Sequence, residues 1–161
     1  MIRVLSFRNP QRTRSLNIPL LRRVTRHLLE EELENNYELG IHLVDAREMA
    51  RVNWQFLQHR GSTDVITFDH GAEKSPGCLH GEIFVSIPDA VKQSRELGTT
   101  WQSEVVRYII HGLLHLCGHD DLQSRKRRAM KREENRLHRR MEILFPLQRI
   151  ARSQRASTLR R

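Results

Sequence analysis

The chain is poor in cysteine. Cys78 and Cys117 are the only two among 161 residues, and they form no CxxC pair. A disulfide framework is therefore not expected, and a reducing cytoplasm is the simplest compartment. Long apolar runs are missing too. No stretch of about eighteen apolar residues occurs, which excludes a membrane-spanning helix. The opening MIRVLSFRNPQRTRS lacks the apolar core that a signal peptide needs. Repeats and Gly/Ser-rich linkers are absent as well. The length therefore fits one domain, large enough to bury its own core.

Charge is present in quantity but unevenly. The formal net charge is +9, yet residues 1–121 carry 14 Lys+Arg against 16 Asp+Glu. Residues 122–161 carry 14 Lys+Arg against 3 Asp+Glu, so the whole excess lies there. Concentrated positive charge attracts polyanions such as RNA through counterion release. The plainer reading is a solvated helix face followed by a floppy basic tail.

Apolar periodicity gives the coarse fold. MIRVLSF reads as a strand, 18–33 as an amphipathic helix, and 39–44 as a strand after Asn35-Asn36. Asp45, with Glu48 three residues on, reads as the N-cap of a helix over 46–57. TDVITF and GEIFVSI read as strands around a loop from His70 to His80. Pro88 and Gly98 bracket a helix. Ser103 opens an apolar helix through Cys117, and a last helix runs from 124 to 145, stopped by Pro146. The expectation is a single α+β domain over 1–146, with a small mixed sheet of about four strands and about five helices. Residues 147–161 are expected to form a basic, disordered tail.

The chemistry concentrates in His111-Gly-Leu-Leu-His115-Leu-Cys-Gly118-His119-Asp120-Asp121. Histidines at i and i+4 share one helical face, so both imidazoles can reach one ion. Gly118 can take a positive φ and turn the chain back. His119, Asp120 and Asp121 then all offer a third donor. Three protein ligands with an open fourth position describe a catalytic zinc site. The glutamate that serves as general base in HExxH peptidases is missing, because Gly112 holds its place.

HGLLHLCGHDD resembles the HGxLHLxGxDH signature of the YbeY family of rRNA-maturation metalloendoribonucleases. NWQFLQHRGSTDVITF is similar to that family's N-x-x-F/Y … P-T-D-V-L-S-F segment, and GEIFVSIPDAVKQSRELG to its strand and following helix. The match spans roughly residues 40–122. By its register, the resemblance implies one zinc ion held by His111, His115 and Asp121, with Asp121 standing where the family usually has a third histidine. His119 is the rival third ligand, and Asp120 falls where an outer-sphere acidic partner is expected. Leu57 occupies a position where many members carry an arginine, and Arg60 lies close by as a substitute. The resemblance further implies single-strand-specific cleavage in 16S (small-subunit) rRNA 3′-end maturation and ribosome quality control. The rivals are a metal-stabilised, non-catalytic ribosome-assembly factor and a minimal zinc metallopeptidase.

Other residues carry weaker readings. Thr63 and Asp64 read as a turn or cap, with a substrate-edge role possible because the resemblance puts this strand beside the metal. Glu82 is a candidate general base, although a strand-edge carboxylate is usually solvated. Cys117 reads as a packed core thiol. His42, His59, His70 and His80 show no shared spacing, and His59 and His80 are candidates to line the cleft. Arg125 to Arg128, Lys131, Arg132, Arg136, Arg139 and Arg140 share a helix whose buried stripe is Met130, Leu137, Met141 and Leu144. Phosphate contact fits that face; without aromatics there, base-specific reading does not.

Overall fold

The computed structural model describes residues 1–33, 36–71 and 77–152. Strands β1 (Arg3–Arg8), β2 (Tyr37–Val44), β3 (Val65–Asp69) and β4 (Leu79–Ser86) form one sheet in the order β1-β2-β4-β3. The β1/β2 and β2/β4 pairs are parallel and the β3 edge is antiparallel. Among the described residues there are five α-helices: α1 (Ile18–His27), α2 (Ala46–Leu57), α3 (Ile87–Leu97), α4 (Trp101–Leu116) and α5 (Ser124–Leu144). This is the expected α+β domain. No described helix is long and apolar enough to cross a membrane.

Alternation along the strands gives the sheet two faces. Leu39 and Ile41 of β2 and Ile83 and Val85 of β4 point into the main core, which α4 covers with Ile109, Ile110 and Leu113. Their neighbours point the other way. There α2 covers one end of the sheet, with Met49 and Val52 packed on Ile66, Phe68 and Phe84. Helix α4 crosses β4 very closely at Gly112. A Cβ on that residue would lie 2.8 Å from Ile83 Cγ2 and 2.9 Å from its Cδ1.

Local chemistry sets the helix ends. The Asp45 carboxylate accepts from Glu48 N at 2.8 Å and starts α2. Gly98, at φ 68, ends α3. Helix α4 begins at Trp101, earlier than the expected Ser103, because Thr100 is the cap and its Oγ1 accepts from Ser103 N at 3.2 Å. The expected helix over 18–33 divides into α1 and a π-helical turn, Leu28–Glu32, in which Leu28 and Leu29 are both fully buried.

The proposed boundary at 146 falls inside packed structure. Leu147–Ile150 forms a 3-10 turn whose Leu147 and Ile150 are buried in the core. Ile150 O accepts from Asn17 N at 2.8 Å, Arg152 N donates to Ser15 O at 3.0 Å, and Ala151 bridges Leu16. Two apolar side chains three apart were enough to dock a segment that reads as basic tail. Residues 153–161 of that tail, Asn35 of the expected turn, and 72–76 of the loop lie outside the described residues.

Candidate metal centre

His111 and His115 occupy the last two turns of α4 and face the same side. Gly118, at φ 95, reverses the chain as anticipated, and His119 N donates to Leu114 O at 3.0 Å. The reversal carries Asp121 back over the histidines. His111 Nε2 and His115 Nε2 stand 3.1 Å apart, and Asp121 Oδ2 lies 3.7 Å and 3.6 Å from them. No other group of His, Cys, Asp and Glu donors converges this way among the described residues.

The outer hydrogen bonds fix which ring nitrogens carry protons. His115 Nδ1 is 3.1 Å from the carbonyl oxygen of His119, which can only accept. His111 Nδ1 is 3.0 Å from Glu134 Oε2. Burial alone would raise the Glu134 pKa. Hydrogen bonds from His111 and Arg107 and the Lys131 charge outweigh it and hold the carboxyl at about 2, so it too is an acceptor at neutral pH. In their neutral form, the one that ligates a metal, both rings carry the proton on Nδ1 and turn an Nε2 lone pair inward. Two lone pairs and a carboxylate oxygen converge with no donor among them. Such a cluster calls for a cation.

The donor set fits zinc. Tetrahedral bonds of 2.0–2.1 Å place neighbouring ligand atoms about 3.3 Å apart, and the three measured separations bracket that value. His119, the rival ligand, contributes its backbone carbonyl instead of its ring. Asp120 shapes the loop, its Oδ1 accepting from Leu122 N at 2.8 Å.

The outer-sphere carboxylate is Glu134 of α5, which the sequence reading missed. It is 4% exposed and also accepts from Arg107 Nη1 at 3.0 Å and Lys131 Nζ at 3.2 Å. Its hydrogen bond raises the His111 pKa against the pull of burial, with the Asp121 and Asp64 charges acting in the same sense. A signal was present: Glu134 falls on the buried stripe of α5, between Met130 and Leu137. Such partners typically tune metal affinity by about 10- to 100-fold. Glu134→Gln should weaken zinc by about that factor in a competition titration with a chromophoric chelator. An unchanged affinity would deny Glu134 this role.

The remaining candidates separate by location. His59, Leu57, Thr63 and Asp64 line a groove of about 440 Å³ that contains His111, His115 and Asp121. Asp64 accepts from Val65 N at 2.9 Å and Thr63 Oγ1 at 3.2 Å, the expected turn. Glu82 does not reach the site. Strand alternation puts it on the opposite sheet face, held by His42 at 2.8 Å and His70 at 3.0 Å. These two hydrogen-bonding histidines keep its pKa low, the one from His70 contributing most. His80 is on that face too, 3.9 Å from Glu38. Cys117 is exposed, not packed, because it follows the last turn of α4 where the chain reverses. Arg60 is absent from the groove lining; its guanidinium lies over the Trp54 ring.

A second groove of about 540 Å³ meets the first at Asp64, His111 and Asp121. Arg107, Arg127 and Lys131 line it together with Asp64, Glu104, Asp121 and Glu134. Arg127 Nε also donates to Asp121 O at 2.9 Å, so this basic residue braces the loop that carries the third donor.

Known proteins are similar to this chain in fold and sequence. The solution structure of a Thermotoga maritima protein superposes with a TM-score of 0.63, covering 96% of this chain and 100% of that one at 24% identity, a likeness of fold. The endoribonuclease YbeY of Salinibacter ruber is 32% identical over 137 residues, 81% of this chain and 87% of the relative. That of Endomicrobium trichonymphae is 30% identical over 121 residues, covering 75% and 83%. The family model described as endoribonuclease YbeY matches residues 6–142, nearly the whole described fold, and the chain belongs to that family.

Proposed function

We propose that the chain is a zinc-dependent endoribonuclease that cuts single-stranded RNA, with small-subunit rRNA near its 3′ end as substrate. The observation that supports it is the convergence of His111 Nε2, His115 Nε2 and Asp121 Oδ2, beside a groove whose lining includes Arg107, Arg127 and Lys131. His111, His115 and Asp121 would hold one zinc ion. When bound, the ion supplies Lewis-acid stabilisation for a scissile phosphate. Glu134 and the His119 carbonyl hold both imidazoles in the ligating tautomer. Arg127 and Lys131 sit where they can take the phosphates beside the scissile one. The cytoplasm is the compartment this substrate requires.

The test uses the zinc-loaded protein on RNA from the small-subunit 3′ region, offered single-stranded and as a duplex. Single-stranded RNA should be cut, the duplex spared, cleavage lost on chelation and restored by zinc. A preparation with one zinc per chain that cuts neither form would overturn the proposal and favour the non-catalytic assembly factor.

A further inference from the structure

The end of α2 presents a surface that the metal centre does not use. Trp54 is 55% exposed and Leu57 is 45% exposed, and the two stand one turn apart on neighbouring parts of the helix. Leu57 lines the groove that contains the metal donors, and Trp54 lies one helical turn before it. The Arg60 guanidinium carbon lies 5.9 Å from the Trp54 ring centroid, and His59 lines the groove.

The loop that carries these cations is held in place. Gln58 takes the left-handed conformation at φ 54 and its N–H donates to Trp54 O at 3.0 Å. The buried Asn53 side chain donates to Gly61 O at 3.0 Å, and His59 N donates to Asn53 O at 3.3 Å. A half-exposed indole with a guanidinium above it thus stands one turn from Leu57 of the groove wall, and the same short loop sends His59 to that wall. An unpaired nucleobase supplies the matching π-face, and its phosphate the matching charge. A paired base keeps its faces stacked within the helix and cannot offer one.

We infer that Trp54, with Arg60 and His59, forms a stacking subsite that holds one unpaired nucleotide of the RNA strand entering the metal groove. The inference rests on the nuclease reading above and adds the determinant of single-strand preference. Steady-state cleavage of single-stranded RNA by the zinc-loaded protein tests it, together with intrinsic fluorescence during RNA titration. Trp54→Ala should raise KM roughly tenfold with kcat unchanged, as the loss of one base stack predicts. Trp54→Phe should keep KM near the wild-type value while removing the RNA-induced quench, with Trp101 emission unaltered. An abasic nucleotide at the stacked position should bring the wild type to the KM of Trp54→Ala. Cleavage with equal KM in wild type and Trp54→Ala would overturn the subsite and leave the nuclease reading standing. A quench that survives in Trp54→Phe would overturn it as well. A saturating quench specific to single strands in a protein that cuts no RNA would support the subsite and remove the nuclease reading. Equal KM values with loss of a co-purifying protein in Trp54→Ala would assign the patch to that protein and overturn the subsite.

Discussion

His115→Ala should lose its metal and its RNA cleavage together. The site has three protein donors, and deleting one leaves a single imidazole and a carboxylate. Losing the ion removes transition-state stabilisation worth several kcal/mol, on the order of a thousandfold or more in kcat/KM. Asp121→Ala should behave alike. His119→Ala should keep its metal, because residue 119 serves through its carbonyl, which alanine retains. Asp121→His should restore binding, since the register admits an imidazole at that point. Elemental analysis beside a cleavage assay reads all four, with circular dichroism to show that each remains folded. A His115→Ala protein that holds zinc and cuts RNA would refute the centre. Metal lost from His119→Ala but kept by Asp121→Ala would move the third ligand to His119.

Gly112→Glu, the change that writes the HExxH peptidase motif into α4, should unfold the protein instead of creating a peptidase. The Cβ at residue 112 points at Ile83, which is fully buried in β4. Glutamate there faces two costs. Overpacking a filled core costs about 1–3 kcal/mol, and burying a carboxylate without a partner costs several more. Together they approach the whole stability of a domain this size. Gly112→Ala should show the overpacking cost alone, as a fall in melting temperature of roughly 5–10 °C. Thermal denaturation measures both. A Gly112→Glu protein that melts like wild type would show that α4 can lift from β4, and would reopen the peptidase reading.

The histidine pair was legible because helical periodicity is local, and Gly118 announced the return of the chain. The Asp45 cap and the Gly98 stop were legible for the same reason. Glu134 was not, because its link to His111 spans 23 positions and depends on how α5 docks. Its position on an apolar stripe was visible, but its partner was not. Glu82 failed differently. Alternation in GEIFVSI separates Glu82 from Ile83, yet nothing in the strand says which face α4 covers. Trp54 was not legible because only the folded chain sets the end of α2 beside the metal groove.

The seam between Leu16 and Ala151 has a kinetic meaning. Pairing those residues closes a loop around most of the chain, with a larger closure entropy than the other pairings of the sheet. Contacts of such separation are expected late in folding. Helix α5, which leads into the seam, delivers Glu134 to His111. The ligating residues on α4 and its return loop are close in sequence and can assemble early. The acceptor that orients His111 arrives only when α5 docks on α4. A chain shortened at residue 146 is expected to keep the ligands and lose the seam that closes behind that helix.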